Sequence, residues 1–363
     1  MEDHFMGKPL GMSDIARAVG CSKNTVSLAL RGSPAISAKT AKRVLDTAKA
    51  LGYEKNAAFS RFMSEIKTSG LKKYRETIAL INANEDRCAL SAHPTIPRYV
   101  EGIRRAAERE GFAVDEFWLH DPGLDGRKLA RILRSRGIRG GVITGLMDNN
   151  RLPSRFTAVW RDFKFVITGV RTYGPTLNFA CADHFLIAYH ATLQALAHGY
   201  LRPALVLDRE IDSLIEGRFT GGFLRAQLAM PQEARIDPFF EVSAAKRNAA
   251  LFKKWFESNA PDAIICLFNT PKKWLEELGV RVPEDVALIQ LERRRDEPEW
   301  AGMDQRNDLA GEAAVEKLSQ MLYSNAAERS GTITATLVSP EWAESDTIMH
   351  KPRRAPRLAK MPR

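Results

Sequence analysis

The 363 residues are 44% hydrophobic and 27% charged, a globular composition with enough apolar material for a sizeable core. No run of about 18 apolar residues occurs, and the start Met1-Glu-Asp-His-Phe-Met6 has neither a basic nor an apolar signal region; no membrane span or secretion is expected, and the expected location is cytoplasmic. The net charge of +10 is uneven: residues 1–75 hold 14 Lys/Arg against 6 Asp/Glu and residues 351–363 hold six Lys/Arg and no acid, so a basic head and tail flank a body at −4, as expected if only the ends approach polyanions.

The head reads as three short helices. Ser13 to Gly20 places Ile15, Ala16 and Val19 on one face between a serine cap and a glycine stop. Ser22 then caps a second helix through Leu30 that buries Val26 and Leu30 and turns Lys23, Asn24, Ser27 and Leu28 outward. Two helices joined by a tight glycine-containing turn form a helix-turn-helix, whose second helix sets its N-terminal residues against base edges in the major groove. Gly32-Ser-Pro34 breaks the chain, and Ser37 caps a third helix in which Ala41, Val44, Leu45, Ala48 and Leu51 recur at helical spacing before Gly52. Lys39, Lys42, Arg43 and Lys49 supply phosphate-facing charge. Ala57 to Met63 is helix-compatible and carries Phe59 and Phe62 without a core of its own, and Lys67 to Arg75 is a polar, basic linker.

From Thr77 the texture changes to strands alternating with helices. Strands are predicted at Thr77–Ile81, Ala113–Leu119, Gly140–Gly145, Phe163–Thr168, Pro203–Leu207, Ala263–Leu267 and Val286–Leu291. Helices are predicted at Tyr99–Glu110, Arg127–Arg136, His184–Ala197, Ser213–Ala229, Ala244–Ser258 and Pro271–Leu278. Such alternation implies parallel sheets covered by helices, and about 270 residues of it exceed one sheet, so two α/β lobes are expected. Residues 346–363 read as a basic, disordered tail.

Catalytic patterns are missing. Seven histidines show no HExxH and no metal spacing, and Gly140-Gly141 and Gly221-Gly222 lack the Lys-Ser/Thr of a phosphate loop. No Gly-x-Ser-x-Gly elbow occurs, and Glu276-Glu277 and Asp296-Glu297 read as solvated charge. Cys21, Cys88, Cys181 and Cys266 are widely spaced and fit reduced thiols. No catalytic residue, metal or cofactor is expected.

The head resembles the lactose-repressor family of bacterial transcription factors. The residues that carry the resemblance are Asp14-Ile-Ala16, Val19-Gly-Cys-Ser22, Thr25-Val-Ser27, Ile36-Ser37, Thr40, Arg43-Val44, Leu51-Gly-Tyr53 and Asn56-Ala57-Ala58. The resemblance implies a helix-turn-helix domain over 1–55, a hinge helix and linker over 56–75, and a two-lobed, periplasmic-binding-protein-like effector and dimerisation domain over 76–345. Implied DNA contacts are Ser22, Lys23, Asn24, Thr25, Ser27, Leu28, Asn56, Ala57 and Phe62. Leu28 stands where Arg is frequent, which leaves an apolar contact such as one to a thymine methyl. Lys55 replaces the usual Pro and Phe59 a usually small residue; Phe62 replaces a Leu that wedges into the minor groove, a role an aromatic ring also fills.

The body carries the same resemblance in Pro261-Asp-Ala-Ile-Ile265 and Gly279 to Ala287. It implies a first lobe of 76–180 plus a helix Leu309–Leu322, and a second of 181–305 plus final strands near Ile333–Val338. Implied effector contacts are Asp183, which also reads as a helix cap, Arg218, Asn269 and Glu292; Thr270 and Glu292 each stand where Asp is usual. The implied function is a homodimeric repressor of a pseudo-palindromic double-stranded DNA operator, controlled by a small molecule, expected to be a carbohydrate, between the lobes. A regulator of this fold without effector response is one alternative, and a stand-alone ligand-binding protein another.

Overall fold

The computed structural model describes residues 12–30, 36–51, 76–323 and 332–351. The chain divides into two compact units, residues 1–74 and 75–363. Asn56, Ala57, Phe62 and the rest of the expected hinge and linker lie outside the described residues, as does the tail from 352 onward.

In the first unit, α1 Met12–Val19, α2 Lys23–Leu30 and α3 Ala38–Ala50 pack around Ile15, Val26 and Val44, which are fully buried. Helix α1 stops where Gly20 takes φ 72°, and the amides of Gly20 and Cys21 both return to the Ala16 carbonyl at 2.9 and 3.0 Å. Ser22 Oγ accepts from the Thr25 amide at 3.0 Å and Ser37 Oγ from the Thr40 amide at 3.3 Å, so two of the serine caps form as read. Arg43 donates to the Val19 carbonyl at 2.9 Å and ties α3 to the end of α1. Leu45 departs from its reading: it is 49% exposed, because one residue past Val44 is about 100° off the buried face.

The second unit opens with β1 Glu76–Asn82, α4 Ala89–Ala92, α5 Ile96–Glu110, β2 Phe112–Trp118, α6 Gly126–Ser135 and β3 Gly140–Thr144. It continues through α7 Thr157–Asp162, β4 Lys164–Thr168, β5 Asn178–Ala182, α8 His184–Ala197, β6 Pro203–Val206, α9 Arg209–Leu214 and α10 Arg218–Gln227. After α11 Val242–Arg247 and α12 Ala250–Asn259 come β7 Ala263–Cys266, α13 Thr270–Glu277, β8 Ala287–Gln290 and β9 Gly302–Asp304. The last elements are α14 Asn307–Tyr323, β10 Ala335–Val338 and β11 Glu341–Ala343.

Two sheets result. The first runs β10-β5-β4-β3-β1-β2, all parallel; the second runs β11-β9-β8-β7-β6, parallel except for β11 against β9. Helices α5 and α14 cover one face of the first sheet around Ile103, Ala310 and Ala314, and α11 to α13 cover one face of the second around Phe252 and Trp274. The remaining faces share one core that extends from Ile81 and Phe165 to Leu205 and Ile289. Helices α5 and α14 approach backbone to backbone: a Cβ on Gly102 would stand 1.7 Å from the Asp308 carbonyl oxygen, and one on Gly311 2.2 Å from that of Tyr99.

The structure corrects several readings. The segment near Ile333–Val338 belongs with the first lobe, not the second: β10 pairs with β5 in register Ala335↔Phe179, covering an edge that β5 would otherwise leave open. The helix expected over Ser213–Ala229 is broken into α9 and α10, because Glu216 and Gly217 take φ 61° and 72°. That expected over Ala244–Ser258 divides into α11 and α12. Strands β5 and β9 were not predicted. The body also runs past 345, since Thr347 and Ile348 are buried and Thr347 Oγ1 donates to the Leu288 carbonyl at 2.7 Å. Among the described residues no helix is long and apolar enough to cross a membrane.

Candidate functional site

A cavity of about 220 Å³ opens between the C-terminal ends of the two sheets, where α/β folds place ligands. The first lobe contributes Thr144 and Thr168, one at the end of each of two neighbouring strands, and their hydroxyls meet at 2.9 Å. Gly145 and Gly169 follow, both at φ 89°, and the residues after them, Leu146, Met147 and Val170, stay on the cavity wall. The approach to α5 adds His93, Thr95 and Tyr99, with His93 Nδ1 accepting from the Thr95 amide at 3.1 Å. From the second lobe come His184, Ile211, Phe219, Phe268 and Glu292, and most of the wall is apolar.

Glu292 spans the lobes. Its Oε2 accepts from the Thr95 hydroxyl at 3.0 Å and its Oε1 from Asn307 Nδ2 at 3.2 Å. Burial raises this carboxyl to about 6, against the opposing effects of the Thr95 hydrogen bond and the Arg294 and Arg98 charges. His184 is the first residue of α8 and only 6% exposed; its Nδ1 has no protein partner and its ring meets Phe219 edge-on at 5.1 Å. Burial, helped by the Arg218 charge, lowers it to about 3, so the ring is neutral at physiological pH. Burial likewise pushes the Tyr99 hydroxyl well above its ordinary value.

The four expected effector positions do not converge. Glu292 lines the cavity, whereas Asp183 Oδ1 accepts from the Leu186 amide at 3.1 Å and caps α8. Arg218 lies outside the lining, pairs with Glu216 at 2.6 Å and stands over the Phe179 ring at 5.7 Å. Asn269 is exposed and donates to Glu297 Oε1 at 2.8 Å. The sequence reading missed Thr95, Tyr99, Thr144, Thr168 and His184. Only His184 carried a signal, as a polar ring directly after a capping Asp.

A second set of contacts crosses between the lobes at Glu216. Arg171 pairs with it at 3.0 Å and the Tyr173 hydroxyl donates to it, while Asn150 Nδ2 donates to the carbonyls of Arg171 at 2.6 Å and Leu214 at 2.8 Å.

On the first unit, Ser22, Lys23, Asn24, Thr25, Ser27 and Leu28 all fall on α2 or its cap. Ser22 and Lys23 are exposed, and Thr25 and Leu28 half-buried. Ser22 Oγ is engaged by the Thr25 amide, which assigns it to capping.

Comparison with known proteins places both units. Residues 11–56 match "Bacterial regulatory proteins, lacI family", and residues 79–271 match "Periplasmic binding proteins and sugar binding domain of LacI family". The maltose regulon regulatory protein MalI of Escherichia coli (strain K12) is 28% identical over 246 residues, 67% of this chain and 66% of that protein. Among solved structures, the transcriptional regulator CelR in complex with cellobiose aligns with TM-score 0.54 at 18% identity, over 93% of this chain and 99% of the other. The lac repressor dimer bound to operator and the anti-inducer ONPF aligns with TM-score 0.55 at 17% identity, over 94% of this chain and 100% of the other.

Proposed function

The chain belongs to the lacI family of bacterial regulatory proteins, and on that premise we propose that it is a sequence-specific DNA-binding repressor controlled by a small carbohydrate held in the cavity between its two sheets. The observation that carries this reading is the position of the cavity, walled by both lobes and crossed by the Thr95–Glu292 hydrogen bond. A ligand there touches both lobes at once, so its binding energy differs between open and closed arrangements. Only such a difference lets it shift an equilibrium. Glu292 and His184 are the polar groups assigned to the ligand; Asp183 and Arg218 position α8 and α10 around it.

DNA recognition is assigned to Lys23, Asn24, Thr25, Ser27 and Leu28 on α2, with Asn56, Ala57 and Phe62 reaching the operator centre. Two copies match the two halves of a pseudo-palindromic operator. A regulator of chromosomal DNA in a bacterium works in the cytoplasm. Support for the sugar comes from the family's sugar-binding description and from the CelR structure with cellobiose.

The test is fluorescence anisotropy on DNA from upstream of the protein's own gene, with and without a panel of mono- and disaccharides. We expect at least about a thousandfold preference over random duplex at physiological salt, and a change of about fivefold or more with one sugar. Equal affinity for every duplex overturns the regulator reading. A specific operator that no sugar affects favours the second reading, a regulator without effector response, which the engagement of Arg218 and Asn269 elsewhere supports.

A further inference from the structure

At the far end of α8 from the cavity, three side chains from distant parts of the chain converge on one point. His198 caps the helix; Glu344 and His350 come from the segment after β11. His198 Nε2 lies 3.2 Å from Glu344 Oε1, His350 Nε2 lies 3.6 Å from the same oxygen, and all three ligand atoms fall within 4.8 Å of one another. The two imidazoles are stacked, with centroids 4.1 Å apart and planes 12° from parallel.

The tautomer of His198 follows from its other nitrogen. Nδ1 lies 2.8 Å from the Gln194 carbonyl, which only accepts, so the ring proton sits on Nδ1. The neutral ring therefore turns the bare lone pair of Nε2 toward a carboxylate oxygen, and two acceptors face each other. Something positive belongs between them. A proton on one ring satisfies one pair, but protons on both set two imidazolium rings face to face. One divalent ion satisfies both rings and the carboxylate together once the exposed His350 ring swings off the stack and brings its in-plane lone pair round.

We infer that His198, Glu344 and His350 form a binding site for a divalent transition metal of the zinc class. A tetrahedral zinc with bonds of about 2.1 Å spaces its ligand atoms about 3.4 Å apart, close to the two histidine–carboxylate separations of 3.2 and 3.6 Å. Two imidazoles and a carboxylate are a ligand set that zinc accepts, and a water completes the shell. The Gln194 carbonyl acts from behind, fixing the ring and making Nε2 more basic. The backbone is in place: the Lys351 amide donates to the His198 carbonyl at 2.8 Å and the Met349 amide is 3.3 Å from the Tyr200 hydroxyl. An ion here clasps the chain's last described segment to α8, immediately before the basic tail. Residues this far apart in sequence form no linear metal motif, so histidine spacing alone carries no sign of the site.

The experiment is titration of the tag-free, full-length protein with zinc chloride against a competing zinc indicator, with the thermal midpoint as second readout. We expect one zinc per chain, a midpoint that rises with zinc, and at least a tenfold loss of affinity in His350→Ala and in Glu344→Gln. Both side chains stand on the surface, so their replacement leaves the circular dichroism spectrum unchanged. Cys88→Ser, at an exposed thiol outside the cluster, should bind as wild type. The inference is overturned if wild-type protein binds no stoichiometric zinc, if either cluster variant binds as tightly as wild type, or if Cys88→Ser removes binding.

Discussion

The Thr95 hydroxyl donates to the Glu292 carboxylate at 3.0 Å across the cleft, joining the lead-in to α5 in one lobe to the end of β8 in the other. The two residues stand 197 positions apart in the chain and meet at the edge of the cavity. One contact between the lobes therefore rests on a single half-buried carboxyl.

That carboxyl sets a pH dependence. Burial raises Glu292 from 4.5 to about 6, so the folded chain holds this proton more tightly than the unfolded one. Its contribution to stability is best below pH 4.5, declines as the pH rises toward 6, and above that is a constant penalty of about 1–2 kcal/mol. Glu292→Gln should be more stable than wild type by that amount at pH 7.5, with the difference gone near pH 4.5. Paired urea titrations at the two pH values measure it, and a pH-independent difference refutes the assignment.

His184 brings an unpartnered ring nitrogen into a mostly apolar cavity. Left dry, such a group costs about 1–3 kcal/mol, which a ligand hydroxyl recovers. His184→Phe keeps the ring against Phe219 and removes the nitrogen. Folding stability should hold or rise slightly, while affinity for the effector sugar drops about tenfold by calorimetry. Unchanged affinity would remove His184 from the site.

Glu216 gathers Arg171, Tyr173 and Arg218 at the other crossing between the lobes, and holds φ 61° to do so. Glu216→Ala should lower stability by about 1–3 kcal/mol in urea unfolding, because it strands charge-assisted donors. Glu216→Gln, which still accepts hydrogen bonds, should lose less than half of that. Equal losses would mean that the negative charge beside Arg171 and Arg218, and not hydrogen-bond acceptance, is what matters.

How much of this was legible in the sequence depends on how locally each feature is determined. Gly20, Ser22 and Ser37 punctuate the head within a few residues of what they cap, so its helices were readable. Buried parallel strands such as Gly140–Thr144 announce themselves as apolar runs. The partner of β10 did not, because alternation along a strand states which faces it has and not which edge it joins. Of the cavity lining, Glu292 was singled out through the family resemblance at the end of a recognisable strand, whereas Thr95, Thr144 and Thr168 are ordinary threonines until the fold assembles them. Arg218 and Asn269 show the converse: residue types suited to a sugar, each drawn to a neighbouring carboxylate.

The DNA reader is open to a test that separates base contacts from phosphate contacts. Asn24 is on the first turn of α2 and Lys23 beside it is exposed; we assign Asn24 to an adenine edge, which an amide can meet in two hydrogen bonds. Asn24→Ala should relax preference at one base position by about 1–3 kcal/mol and leave the salt slope alone, whereas Lys23→Ala should weaken all sequences alike and reduce the slope by about one. Phe62→Ala should weaken specific binding far more than non-specific binding, since a wedge acts only where DNA is kinked. Anisotropy titrations at several salt concentrations on operator and scrambled duplex distinguish these three signatures. If Asn24→Ala and Lys23→Ala behave identically, α2 meets the backbone rather than the bases, and recognition has to be sought elsewhere in the head.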